Sequence, residues 1–118
     1  MSERDIAFYV EDMIEFTGWV LEYSGGLTEA TLTAERMRYD AILRNIELIG
    51  EAATHVPQHV REQAPGVPWQ KIVGARNRIA HAYLGIAPET VWNIIEQQLP
   101  ALLEDLRCLL PQIARPTG

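Results

Sequence analysis

The sequence has a single cysteine, no long uninterrupted apolar run and no secretory leader pattern, and each absence removes a class of protein. One cysteine cannot form an internal disulfide, and because Cys108 lies in an apolar stretch we expect it to be buried as a small hydrophobic residue. A membrane span needs about 20 apolar residues. The start, Glu3-Arg4-Asp5, lacks the basic segment of a signal peptide. These features predict a cytoplasmic protein that does not enter a membrane.

Basic residues are also scarce, with 10 Lys and Arg against 16 Asp and Glu and a net charge of −6. This balance excludes a protein that coats nucleic acid through bulk charge. Acidic residues, however, are missing between Glu62 and Glu89, and that window contains Lys71, Arg76 and Arg78. We call it the cationic window. Charge alone does not distinguish a binding surface from chance clustering.

The length of 118 residues, 47% of them hydrophobic, predicts one domain over residues 1–118 with its own core. Apolar residues recur at helical spacing in the first segment, with Ser2 as a candidate N-cap and Gly25-Gly26 as a stop. A second helix is predicted from near Thr28 or Thr33 to just before Pro57.

The second half of the chain also has helical periodicity. A short helical piece at 58–64 and a turn at 65–68 precede a third major helix from Trp69 to about His81, after which Gly85 suits a C′ position. A last helix begins at Pro88 and must kink at Pro100. Residues 112–118 are predicted to be a loose tail. The fold class is therefore all-α, an antiparallel bundle of four to five helices.

Two of the three histidines could suggest a metal site. His55 and His59 are four residues apart, and Glu51 is a further four upstream. Pro57 lies between the histidines and pushes the preceding residue out of helical geometry, so the two side chains should not share a helix face. We therefore predict no metal site, and helix-end or surface roles for both histidines.

The third histidine has different neighbours, in the run Ala75-Arg-Asn-Arg-Ile-Ala-His-Ala-Tyr83. At about 100° per residue, Asn77 and His81 share a helix face, and Arg76 and Tyr83 share an adjoining one. Arg76 and His81 themselves are separated by roughly 140°. A helix that ends near Ala80, or a two-fold dimer that faces two such helices across a cleft, would bring these two side chains together.

These residue types suit the cleavage of RNA. Arg76 supplies a permanent cation for a phosphodiester, and His81 can transfer a proton near neutral pH. Together they could promote attack of a 2′-hydroxyl on the adjacent phosphate without a metal, with Asn77 orienting the phosphate or the imidazole. Alone, an arginine and a histidine at this spacing are equally typical of a surface arginine and a hydrogen-bonded histidine.

The wider pattern is more specific. The string Arg76-Asn77, His81, Tyr83, Gly85-Ile86, Pro88-Glu89 and Val91-Trp92 resembles the HepT-like branch of the HEPN superfamily. The segment Ala41-Ile-Leu-Arg-Asn-Ile-Glu-Leu-Ile-Gly-Glu-Ala-Ala53 is similar to the second helix of that family. The resemblance extends from about Asp5 to Leu110.

The resemblance implies a HEPN-type bundle and a homodimeric, metal-independent endoribonuclease without a cofactor, the toxin of a type VII-like toxin–antitoxin pair. It implies that Arg76 and His81 are catalytic in a composite site at the dimer interface and that Asn77 supports them. It also implies that a nucleotidyltransferase-fold antitoxin attaches AMP to Tyr83, which would block RNA and compete for the cation. Within the cationic window, Lys71 and Arg78 are candidate contacts to the RNA.

A different class of function remains open. The same residues could hold a nucleotide or a protein partner in a non-catalytic helical module, and the low positive charge favours this alternative somewhat. Spacing does not decide whether Glu47 and Glu51 line the site. We expect both to lie on a solvated helix face.

Overall fold

The structure is a computed structural model that describes residues 2–81 and 85–113, and every regular element in those two ranges is helical. This confirms the predicted all-α class. None of the helices in these ranges is both long enough and apolar enough to cross a membrane. The elements are α1 (Glu3–Tyr23), α2 (Arg36–Ala53), α3 (Gln58–Arg61), α4 (Trp69–Ala80), α5 (Pro88–Asn93), a π-helical turn (Ile94–Gln98) and α6 (Leu99–Ile113).

Helix α1 begins where the sequence predicts. The Ser2 hydroxyl accepts a hydrogen bond from the Asp5 amide at 3.1 Å, and the Asp5 carboxylate accepts one from the Ser2 amide at 3.3 Å. This reciprocal capping box satisfies amides that have no partner within the helix. The helix ends at Tyr23, and Gly26 continues the chain with a φ of 80°, which favours glycine.

Helix α2 begins at Arg36, later than predicted. The Thr28 amide donates to the Thr31 hydroxyl at 2.8 Å, and the Thr31 amide donates to the Thr28 hydroxyl at 3.2 Å. Threonine side chains that bond the local backbone compete with helical hydrogen bonds. They therefore hold a separate turn, and the prediction of a start near Thr28 or Thr33 is wrong.

Arg61 stabilises the connector between α2 and α4, residues 54–68, by hydrogen bonds to the backbone. Its Nε donates to the Val56 carbonyl at 2.9 Å and its Nη2 donates to the Ala53 carbonyl at 2.8 Å, so one guanidinium satisfies carbonyls at the end of α2. The Trp69 indole donates to the Ala64 carbonyl at 3.1 Å. These bonds fix the path of the turn at 65–68 and thereby the starting point of α4.

The predicted kink at Pro100 takes the form of a π-helical turn. The Leu99 amide donates to the carbonyl of Ile94, five residues earlier, so the helix is locally wide just before the proline. Because proline has no amide hydrogen and clashes with the preceding turn of an α-helix, widening that turn lets α5 and α6 continue as one interrupted helical stretch.

The core lies between α1, α2 and α6, and α2 packs on its other side against α4. Its largest fully buried side chains come from all three of the central helices, including Met13, Ile42, Ile49, Leu102 and Leu106. Helix α2 thus touches both the core and α4. The position of α4 in the fold is therefore set by its packing against α2.

Three predictions for the second half of the chain are wrong. Cys108 is exposed, because the buried stripe of α6 contains Leu106 and Leu109 and the cysteine points to another side of that helix. The predicted tail begins too early, since α6 continues to the buried Ile113. Gly85 has a left-handed φ of 63° but follows the C-cap residue, His81, by four positions, so it is not the C′ residue.

Candidate active site

The last turn of α4 orients the imidazole of His81. Helix α4 ends at Ala80, and His81 leaves helical geometry with φ −99° and ψ 69°. Its Nδ1 lies 2.7 Å from the Asn77 carbonyl oxygen. Because a carbonyl only accepts hydrogen bonds, Nδ1 carries the proton. In the neutral form of this exposed imidazole, the lone pair that can accept a proton is then on Nε2.

Arg76 points in another direction, towards α2. Its Nη2 lies 2.6 Å from a carboxylate oxygen of Glu51, and its Nη1 donates to the side-chain oxygen of Asn77 at 2.9 Å. The side chain is 32% exposed. Its Nε is buried and has no hydrogen-bond partner within the described ranges. Each terminal nitrogen bears two N–H groups, so a guanidinium held in this way still has N–H groups to offer a phosphate.

Gly50 permits this approach of Arg76 to α2. A Cβ at position 50 would collide with the Arg76 Cβ and would lie 2.9 Å from the Ile72 carbonyl oxygen. The two helices can pack at this distance only because Gly50 has no side chain. The next residue along α2 is Glu51, so the same close packing brings its carboxylate to the guanidinium.

Asn77 contacts both of the other predicted site residues. Its side chain accepts from Arg76 and its backbone carbonyl accepts from His81. The sequence left open whether a helix end or a second protomer would overcome the 140° between the arginine and the histidine. The helix does end at Ala80, and the imidazole turns back onto the last helical turn.

The cationic window divides into two parts in the structure. Arg76 lies against α2, where Glu51 partly neutralises it. Lys71 and Arg78 are exposed on a different face of α4. The three cations therefore do not form one continuous surface on a single protomer.

Glu51 keeps 46% of its side chain exposed, as expected for a solvated helix face, but its carboxylate also contacts Arg76. Glu47 instead forms an (i, i+3) pair with Arg44 at 3.5 Å. No periodicity connects positions 51 and 76, which lie on different helices. The one sequence signal was Gly50 beside Glu51, since a glycine inside a helix often marks a close approach of another element.

Of the other two histidines, His55 lies at the edge of this arrangement and His59 lies outside it. His55 follows α2, stacks on Tyr9 with ring centroids 4.4 Å apart, and has its Nε2 3.8 Å from Glu51. His59 is exposed on α3. The two histidines thus occupy different elements, as we predicted from the position of Pro57 between them. Over 2–81 and 85–113, no group of three or more His, Cys, Asp or Glu side chains could hold a metal ion.

Tyr83, the predicted acceptor of AMP, lies outside the described residues. The position of its hydroxyl relative to Arg76 and His81 therefore stays a prediction.

Comparison with known proteins assigns the chain to a family. The family model described as "Ribonuclease HepT-like" matches residues 10–109. A "Putative RNase" of Methanocaldococcus jannaschii is 31% identical over 106 residues, which are 90% of this chain and 97% of that protein. A "Putative RNase" of Caldanaerobacter subterraneus is 28% identical over 86% of this chain and 91% of that protein. A "Probable ribonuclease HepT" of Thermococcus cleftensis is 26% identical, over 80% of this chain and 86% of that protein. No solved structure matches.

Proposed function

Because the chain belongs to the HepT-like ribonuclease family of the HEPN superfamily, we propose that it is a metal-independent endoribonuclease that uses Arg76, Asn77 and His81. The observation that carries this proposal is the bond between His81 Nδ1 and the Asn77 carbonyl. With Nδ1 donating to that carbonyl, a neutral imidazole has its basic lone pair on Nε2, and the side chain is exposed, as a general base requires.

In the proposed reaction, His81 Nε2 takes the proton of an RNA 2′-hydroxyl as that oxygen attacks the adjacent phosphorus. The bond from phosphorus to the 5′-oxygen breaks, and the 5′-oxygen receives a proton from an imidazolium or from water. The products are a 2′,3′-cyclic phosphate and a 5′-hydroxyl. DNA, which has no 2′-hydroxyl, is not a substrate for this chemistry.

Arg76 stabilises the charge that develops on the phosphate oxygens. Glu51 contacts one terminal nitrogen of Arg76 and Asn77 contacts the other, so the guanidinium is already oriented when RNA binds. Hydrogen-bond donors that are already oriented stabilise the transition state without the free-energy cost of reorganisation that mobile donors require. Among the described residues of one protomer, the Arg76 guanidinium contacts Glu51 of α2, the His81 imidazole contacts the Asn77 carbonyl, and no hydrogen bond joins the two side chains. We therefore propose that the complete site is composite and forms between two protomers of a homodimer.

The experiment that tests this function is incubation of the purified protein with single-stranded RNA in EDTA, followed by analysis of the product ends. We expect cleavage that yields cyclic phosphates and leaves the equivalent DNA intact. RNA that is bound but never cut would favour a non-catalytic nucleotide- or partner-binding module. Cleavage that EDTA abolishes would contradict the metal-free mechanism.

Glu51 gives a more specific prediction. Its pair with Arg76 is partly exposed, so we expect Glu51→Gln to change the free energy of unfolding by less than about 1 kcal/mol. The loss of the carboxylate should nevertheless lower kcat about tenfold, because the guanidinium becomes less well oriented. Steady-state cleavage of an oligoribonucleotide checks this, and Glu47→Gln is the matched control on the same helix. An unchanged kcat would remove Glu51 from the site.

We further propose that this ribonuclease is the toxin of a toxin–antitoxin pair and that a nucleotidyltransferase-fold antitoxin silences it by modifying Tyr83. The tyrosine oxygen would attack the α-phosphorus of ATP, release pyrophosphate and retain AMP. A bulky anion two residues from His81 would exclude RNA and attract Arg76. Incubation of the protein with that partner and ATP should add one AMP to the intact mass and abolish cleavage. Addition of AMP to a Tyr83→Phe variant would contradict this assignment.

A further inference from the structure

A cleft of about 340 Å³ lies between α4 and the π-helical turn, on a different face of α4 from Arg76. Lys71, Gly74 and Arg78 line one side of the cleft, and Ile86, Ile94 and Gln98 line the other. No carboxylate is present among its described lining residues. In a protein of net charge −6, this cleft combines an apolar floor with two cations.

The two cations lie at opposite ends of the cleft. Lys71 and Arg78 are seven residues apart on α4, which is two helical turns or about 10 Å along the axis. Gly74 lies midway between them on the same face. Arg78 is also one turn before His81, and residues three apart on a helix are neighbours. The Arg78 end of the cleft is therefore three residues along the chain from the proposed general base, and the Lys71 end lies towards the start of α4.

Gly74 has no packing role that explains it. Among the described residues, a Cβ at this position would meet no atom within 4 Å, and its φ is not in the left-handed region. Glycine inside a helix costs about 1 kcal/mol relative to alanine, because the unfolded chain loses more freedom. The absence of a side chain at Gly74 instead leaves space in the middle of the cleft.

We propose that this cleft is a nucleotide subsite for single-stranded RNA next to the cleaved bond. This inference rests on the proposed function for the identity of its ligand. Lys71 and Arg78 contact successive parts of the phosphate backbone, and a base enters over Gly74 between Ile86 and Ile94. Proteins that bind single strands combine cationic contacts to the backbone with side chains on which the bases stack. In this cleft the Arg78 guanidinium offers such a plane, and Ile86 and Ile94 offer apolar contacts. The Gln98 amide both donates and accepts hydrogen bonds, so it can discriminate between base edges.

The test measures binding separately from cleavage. A fluorescent single-stranded oligoribonucleotide is titrated in EDTA with His81→Ala protein, in which cleavage is expected to be too slow to interfere, and with the same protein carrying a second substitution. Gly74→Leu fills the cleft, and we expect it to weaken binding about tenfold, the effect of losing one well-packed base. Gly18→Leu is the matched control, because a Cβ at this helix-interior glycine of α1 also meets no atom within 4 Å.

The cations have their own readout in the salt dependence of binding. Lys71→Ala and Arg78→Ala should each reduce the slope of log Kd against log salt concentration by about 0.7, the value for one phosphate contact to a single strand. In protein with His81 intact, Gly74→Leu should raise KM and leave kcat unchanged. Arg107→Ala removes an exposed cation on α6 and should leave the slope as it was.

Each outcome bears on the subsite independently of the reaction. If the wild-type protein cuts no RNA but Gly74→Leu weakens binding, the proposed activity fails and the subsite stands. If Gly74→Leu binds as tightly as its parent, or Gly18→Leu weakens binding equally, the subsite is wrong. A change in the sedimenting mass of Gly74→Leu together with weaker binding would show that a second copy of the chain fills the cleft, and would also overturn the proposal.

Discussion

Replacing His81 with alanine should reduce the rate of RNA cleavage by about 10² to 10⁴, the contribution expected of a positioned general acid or base. Arg76→Ala should cost about 10² to 10³, because it removes the donor that stabilises the developing charge. Arg76→Lys should not restore activity, since a lysine ammonium cannot reproduce two planar contacts at once. Cleavage of an oligoribonucleotide in EDTA, followed under single-turnover conditions, measures all three.

The controls for these variants are His59→Ala and Arg107→Ala, which remove an exposed histidine on α3 and an exposed arginine on α6. Both should cleave at the wild-type rate. Each active-site variant must also unfold at the same temperature as the wild type, so that lost activity reports the chemistry. Wild-type rates in both His81→Ala and Arg76→Ala would show that the nuclease uses a different site.

Gly50→Ala should be destabilising although alanine is the better helix former. The new methyl group collides with the Arg76 Cβ and the Ile72 carbonyl, neither of which can rotate away, so α2 and α4 must separate. Overpacking of this kind costs about 1 to 3 kcal/mol. We expect this cost to exceed the gain in helix propensity, which is about 1 kcal/mol. Because separation of the helices also displaces the guanidinium from Glu51, activity should fall with stability.

Gly18→Ala is the control, because it makes the same change in the interior of α1 where the new Cβ meets no atom within 4 Å. It should raise the free energy of unfolding by up to about 1 kcal/mol. Urea denaturation monitored by circular dichroism measures the free energy of unfolding of both variants, which should fall for Gly50→Ala and rise for Gly18→Ala. If Gly50→Ala were as stable as Gly18→Ala, the close approach of α2 to α4 would be wrong.

Local chemistry was enough to place most of the helices. The capping box of Ser2 and Asp5 and the end of α4 near His81 depend on residues within one turn of each other. The same locality explains the late start of α2, where Thr28 and Thr31 bond each other in a turn that periodicity alone does not reveal. The exposed Cys108 shows the converse, since an apolar stretch does not say which side of a helix meets the core.

By itself, the sequence determined the helical class and the family to which the chain belongs, because helix periodicity and motif spacing are properties of neighbouring residues. It also supplied the candidate residues for the proposed cleavage of RNA. The tertiary structure decided which partners those residues have. Close packing of α2 and α4 at Gly50 brings the Glu51 carboxylate to the Arg76 guanidinium. Packing of α4 beside the π-helical turn forms the cationic cleft that Gly74 lines. Contacts between α2 and α4 depend on how the helices pack, and no pattern within one helix encodes the side chain that will face it.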